Sequence, residues 1–340
     1  MSTSVRLAID VMSGDFGPRC IIPAVARCLN QIPNLSVVLV GSSDPLTRLA
    51  KQYSLPDDRV TYVYTSETIQ PDDLPASVLR SKRDASMRVA LEQVRDGVVD
   101  GCLSAGNTGA LMVLAKNLLG TVEGVQRPAI MAALPVGNTF CHLLDLGANV
   151  DCSTRQLFEF AIMGAEAVSE LTGVDRPRIG LLNIGSEINK GSMRVREVSE
   201  LLRDSHSLNY VGHIEGGDLF RDRADVVVCD GFVGNVVLKT SEGLVLYMES
   251  ELQRVLSGSV LLRLLSPLLR RKLKPIRERM NPSRYNGASL LGLQGVVVKS
   301  HGGADEDAFV AAIQQAIRAC EVDMPTRIAA GLARYRGELL

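Results

Sequence analysis

The chain has no tryptophan and few other aromatics, seven Phe and seven Tyr in 340 residues. That scarcity argues against a sugar or base platform built on aromatic stacking. An excess of one charge is also missing. Lys and Arg number 37 against 38 Asp and Glu, so no global positive field invites nucleic acid. There is no window of about 18 apolar residues, so no membrane-spanning helix is expected. The first residues lack the basic-then-apolar order of a secretory signal, and a cytoplasmic protein is expected. The seven cysteines stand at 20, 28, 102, 141, 152, 229 and 320, with no Cys-x-x-Cys pair. An odd, unpatterned set reads as reduced thiols, not as a disulfide framework or zinc site.

The familiar phosphate and hydrolase motifs are missing too. No G-x-G-x-x-G is present, so a dinucleotide fingerprint is lacking. The stretch Gly185 to Ser192 carries Lys190-Gly191-Ser192, which reverses the Gly-Lys-Ser order of a Walker A loop. No G-x-S-x-G elbow and no His or Cys cluster at ligand spacing occur. Neither a metal nor a cofactor is expected.

What is present is alternation. Apolar runs at Arg6–Val11, Leu35–Gly41, Val60–Thr65, Val98–Leu103, Ile130–Val136, Leu143–Leu146, Ile179–Ile184, Ala224–Cys229 and Gly295–Lys299 read as strands with helical segments between them. This predicts an α/β protein: a doubly wound Rossmann-like sheet, mostly parallel, in three α/β/α layers. Five or six strand ends carry Gly beside Asn, Asp or Lys, and a parallel sheet would gather them on one edge, where ligands bind. The densest is Ser104-Ala-Gly-Asn-Thr-Gly-Ala-Leu-Met112, a strand-to-helix turn. Free N–H groups and a helix N-terminus suit an anion there. The same glycines would equally suit a tight connection that needs only their backbone freedom.

Ser257 to Pro282 stands apart. Leu261, Leu265, Leu269, Leu273, Ile276 and Met280 share one helical face. Arg263, Arg270, Arg271, Lys272, Lys274, Arg277 and Arg279 surround them against Glu278 alone. Such a basic amphipathic element reads as a membrane-surface segment or a dock for an acidic partner, or else as a solvated face on a helical hairpin at a dimer interface. A protruding amphipathic hairpin over 241–283 is expected. Arg80, Lys82 and Arg83 form a second basic cluster.

The motifs Asp10-Val-Met-Ser-Gly-Asp15-Phe-Gly-Pro18, Ser104 to Met112, Leu144-Asp-Leu-Gly-Ala-Asn-Val-Asp151, Leu181-Leu-Asn-Ile-Gly185, Asp225-Val-Val-Val-Cys-Asp-Gly-Phe232, Gly234-Asn-Val236 and Lys299-Ser-His-Gly302 carry a resemblance. In order and spacing, from about Leu7 to Ala330, the chain resembles the bacterial phosphate acyltransferase of phospholipid synthesis. It departs from that family's usual pattern at Ser13, His213 and Ala85-Ser86. The resemblance implies one acyltransferase domain over 1–340, with a fold of the phosphotransacetylase type. It implies reversible transfer of a long-chain fatty acyl group from acyl carrier protein to inorganic phosphate. The acyl phosphate would go to a membrane glycerol-3-phosphate acyltransferase. A homodimer with peripheral membrane contact is implied as well. Ser300-His301-Gly302 and Asp307 match the spacing of the Ser-Arg-Gly loop and acid of phosphotransacetylases, with His in place of Arg.

On this reading phosphate sits in the turn of Ser104, Gly106, Asn107, Thr108 and Gly109, with Lys190 as countercharge. His301 stabilises the oxyanion or protonates the leaving thiol. Lys190, Asn107 and Asn183 join it as catalytic candidates. Asn149, Asn235, Gly14, Asp15 and Asp151 complete a polar wall, and Asp10 and Asp230 orient Lys190 or Lys239. Arg263, Arg270, Arg271, Lys272, Lys274 and Arg277 are the docking candidates for the acidic carrier protein or for lipid. Two rival readings remain open at this point: an acyl-CoA donor, and a membrane-recruited scaffold without turnover.

Overall fold

The computed structural model describes residues 4–258, 271–275 and 282–335. Strands β1 (Val5–Asp10), β2 (Leu35–Gly41), β3 (Val60–Tyr64), β4 (Gly101–Ser104), β5 (Ala129–Val136), β6 (Thr139–Leu144), β7 (Arg178–Leu182), β8 (Asn209–Ile214), β9 (Val226–Val228), β10 (Ala288–Leu291) and β11 (Val296–Lys299) form one eleven-stranded sheet. Its order is β3-β2-β1-β4-β11-β10-β5-β6-β9-β7-β8.

Both faces of this sheet are covered. Leu7, Ile9, Val37, Leu39, Leu103 and Val298 belong to one core. The residues between them, Ala8, Val38, Val40, Cys102 and Val297, belong to the other. Side chains alternate across a strand, so a run apolar at every position must be buried on both sides. The first core takes helices α1 (Pro18–Gln31), α2 (Ser43–Gln52), α6 (Thr154–Thr172), α7 (Met193–Asp204), α10 (Glu306–Glu321) and α11 (Met324–Tyr335). The second takes α3 (Pro75–Val78), α4 (Ser86–Arg95) and α5 (Thr108–Leu119). The three-layer α/β/α expectation holds.

The expectation of one shared edge does not. β1, β2, β3, β4 and β11 pair in parallel. β10 runs against both β11 and β5, and β5 runs against β6. β6, β9, β7 and β8 are parallel to one another. These last four therefore point the opposite way to β1, β4 and β11, and their carboxyl ends leave the sheet on the other side. The cause is the β5–β6 hairpin, turned at Gly137-Asn138, where Gly137 takes φ +57°. A two-residue hairpin reverses the chain, whereas the parallel reading needed a crossover there.

Helix α8 (Gly231–Ser257) starts where β9 ends and runs toward the first set of strand ends. A helical piece, α9, covers 271–275, where Arg271, Lys272 and Lys274 are exposed. Arg263, Arg270 and Arg277, with most of the apolar stripe beside them, lie outside the described residues. No helix among the described residues is long and apolar enough to cross a membrane. The seven cysteines are free thiols.

Candidate active site

Three strand ends lie abreast. In the register of β1, β4 and β11, Asp10 faces Ser104 and Ser104 faces Lys299. The Ser104 hydroxyl donates to Asp10 Oδ2 at 2.6 Å and accepts from the Gly106 N–H at 3.1 Å. Ser13 Oγ donates to the Asp10 carbonyl at 2.9 Å and accepts from the Ala105 N–H at 2.9 Å. Gly14, at φ +79°, lets the β1 loop come close to the β11 loop: a Cβ there would stand 3.0 Å from the Gly302 carbonyl. The Asp15 N–H donates to that same carbonyl at 2.8 Å. Asp10 is fully buried, and burial raises its carboxyl above the ordinary value despite the hydroxyl contacts.

These loops enclose a cleft of about 410 Å³, walled by Gly106, Asn107, Thr108, Asp15, Lys239, Lys299 and His301 among others. Asn107 caps α5: its Oδ1 accepts from the Ala110 N–H at 3.0 Å. Its Nδ2 donates to the carbonyls of Pro71 and Asp73, which ties the 68–73 loop to the turn. The N–H groups of Thr108 and Gly109, in the first turn, have no partner within the helix and carry its positive end.

His301 is held from two sides. The Asn286 side chain accepts from the His301 N–H at 2.8 Å and donates to Ser300 Oγ at 2.7 Å and to the Ala308 carbonyl at 2.8 Å. The ring Nδ1 accepts from the Gly303 N–H at 3.1 Å, and Nε2 stands 3.3 Å from Lys239 Nζ. With Nδ1 accepting, the neutral ring carries its proton on Nε2. Two donors thus converge on the cleft, the arrangement an oxyanion would fill. Burial first, then Lys239, lowers the His301 pKa. Lys239 also pairs with Glu242 at 2.8 Å.

The remaining sequence-predicted residues lie elsewhere. Asn149 donates to the Pro128 carbonyl and to Asp145, itself a fully buried carboxylate that accepts from the backbone of Ile130, Ala148 and Asn149. Asp230 caps α8 through the Val233 N–H, and Asn235 packs over Gly147. Asp151 pairs with Arg194 at the surface. Asn183 donates to the Lys190 carbonyl at 3.1 Å and lies 3.1 Å from His213 Nδ1. Lys190 is exposed in that loop and does not line the cleft. Neither Asp10 nor Asp230 touches a lysine: one takes Ser104, the other caps a helix. Asp307 pairs with Arg27 at 2.5 Å on the outside. The strand reversal explains this division, because residues following β6, β7 and β9 cannot share the edge of those following β4 and β11. Among the described residues α8 crosses over, and it delivers Lys239. Sequence reasoning passed over Lys299 and Asn286 as site residues. For Lys299 a signal existed: a lysine closing the apolar run Val296–Val298 directly before Ser-His-Gly-Gly. Asn286 had none.

Comparison with known proteins agrees with this architecture. A family model described as fatty acid synthesis protein matches residues 5–327. A phosphate acyltransferase of Stutzerimonas stutzeri is 49% identical over 330 residues, spanning 97% of this chain and 92% of its own length. One from Halorhodospira halophila is 46% identical, spanning 99% and 98%. Among solved structures, a phosphotransacetylase from Streptococcus pyogenes superposes with a TM-score of 0.62 at 17% identity, covering 93% of this chain and 94% of its own. A branched-chain phosphotransacylase from Enterococcus faecalis gives 0.61 at 16% identity, covering 93% and 99%.

Proposed function

The chain belongs to the fatty acid synthesis protein family, its curated relatives are phosphate acyltransferases, and from that premise we propose that this acyltransferase moves a long-chain fatty acyl group from acyl carrier protein to inorganic phosphate. The reaction is reversible and yields an acyl phosphate for acylation of glycerol 3-phosphate by a membrane enzyme. Residues 1–340 act as one cytoplasmic domain, since one sheet runs through the described residues.

The observation that carries the reading is the cleft where the α5 N-terminus, Lys239 and His301 converge. Phosphate is an anionic nucleophile at neutral pH, so the protein need not make it stronger. Holding phosphate and thioester together can contribute about 7–11 kcal/mol. Phosphate rests on the N–H groups of Thr108 and Gly109, with Lys239 as the charge close by. His301 Nε2–H donates to the oxyanion that forms at the thioester carbonyl, a contact worth about 3–4 kcal/mol. The Gly303 N–H holds the ring and Asn286 holds the His301 backbone before substrate arrives, so little reorganisation remains to be made.

The acidic carrier protein docks on the exposed Arg271, Lys272 and Lys274 and their basic neighbours in sequence. Those charges are screened within about 8–10 Å at physiological salt, so docking weakens as salt rises. The same segment supports peripheral contact with anionic lipid. The exposed apolar residues of α8 support a homodimer.

Release of free thiol from palmitoyl-acyl carrier protein, with and without phosphate and with palmitoyl-CoA in parallel, tests the reading. Phosphate-dependent release from the carrier protein, with acyl phosphate formed, is the expected outcome. Release from CoA alone would replace the donor, and release from neither would leave a scaffold.

A further inference from the structure

Lys299 is a half-buried lysine with no carboxylate in contact with it. Its Nζ donates to two neutral carbonyl oxygens, those of Ala105 at 3.3 Å and of Ser300. No ion pair reaches it among the described residues. An ammonium has three donors, so one is left for the cleft that Lys299 lines. A charge largely withdrawn from water and left unpaired is costly. A site that keeps one is built to meet an anion.

The charged groups around Lys299 come from four directions. Lys239 on α8 repels it, and Glu242 on the same helix is taken up by Lys239. Asp10 at the end of β1 and Asp15 in the following loop attract it without touching it. His301, two residues on, stands in the same wall. Burial first and Lys239 second outweigh the two acids and bring the ammonium down to about 8. A lysine in that range gives up and recovers a proton near neutrality, which an exposed one does not.

We propose that Lys299 is the catalytic proton carrier of the transfer: it meets phosphate as an ammonium and protonates the departing thiolate. This rests on the reaction proposed above. An oxygen of hydrogen phosphate dianion attacks the thioester carbonyl, and the C–O bond forms. The tetrahedral intermediate collapses, the C–S bond breaks, and the sulfur leaves with the electron pair. Lys299 gives its proton to the sulfur and recovers one from the P–OH of the new acyl phosphate. Acyl phosphate dianion and neutral thiol remain, and the lysine is again charged.

Lys299→Met keeps the bulk and removes the charge; Lys299→Arg keeps the charge and withholds the proton. Both are assayed by thiol release from palmitoyl-acyl carrier protein, with thermal midpoints recorded alongside. Lys299→Met is expected to lose about 100-fold or more in kcat. Lys299→Arg is expected to keep the phosphate KM within about threefold and lose kcat by a similar factor to Lys299→Met. In the wild type, kcat/KM for phosphate should fall as pH rises past about 8, and that limb should vanish in Lys299→Arg. Turnover of Lys299→Met within about threefold of wild type would overturn any catalytic role. The same result for Lys299→Arg would leave charge alone and overturn proton transfer. If the wild type itself makes no acyl phosphate, the reaction fails and takes this role with it. If the wild type is active and both variants are too, only the role fails.

Discussion

Asp10 is the group in which stability and function pull apart. Its carboxyl is fully buried, its Oδ1 has no hydrogen-bond partner, and burial raises its pKa above the ordinary 3.8. A raised acid costs the fold stability wherever the unfolded chain would be ionised, so the cost is absent at low pH and grows as pH rises. Asp10→Asn is therefore expected to melt higher than wild type at pH 8, with the gain fading toward pH about 4. It should also turn over more slowly, because it removes a negative charge that attracts Lys299 from a distance. A variant less stable than wild type at pH 8 would refute the assignment. At this scale the sequence spoke unevenly. Asp10, Ser104 and the glycines of the turn were legible because they end apolar runs in turn-rich loops. Lys190 and Lys299 were not separable, since each stands at or just past the end of a strand-like run beside Gly and Ser. Only the strand directions put one in the cleft and the other outside it.

Helix α8 is the element that makes the site possible, and it does so by close packing. Its first turn lies against the loop after β6, and a Cβ at Gly234 would stand 1.9 Å from the Asp145 backbone carbonyl. Backbone cannot yield as a side-chain tip does, so Gly234→Ala should cost about 2 kcal/mol or more. Urea unfolding checks this, with a loss under about 0.5 kcal/mol counting against it. The same shift of α8 would draw Lys239 away from His301, so activity should fall further than the folded fraction does. Helices were easy to read, since their apolar spacing is local, as it is along α6. β10 was not legible, because Ala-Ser-Leu-Leu is too short to show a period.

Taken whole, the chain leaves much apolar surface on the far part of α8. Leu244, Leu246, Tyr247, Met248, Leu252 and Val255 are all exposed, from 41% to 62%. A run of exposed apolar side chains this extended suits a contact with protein or lipid, and the proposed dimer would cover it with a second chain. Sedimentation at micromolar concentration is expected to give twice the mass of one chain. Leu246→Glu with Tyr247→Glu is expected to give one. A monomeric wild type would remove the dimer. What the sequence determined by itself was the three-layer α/β class and the motifs that carry the family, for each rests on local periodicity or on residue order. Tertiary structure alone decided which strand ends share an edge. The β5–β6 hairpin reverses four strands, so Asn149, Asn183, Lys190 and Asp230 part from Asp10, Ser104, Lys299 and His301. Pairing direction is a long-range choice, set by which strands bury one another, and no short window of residues records it.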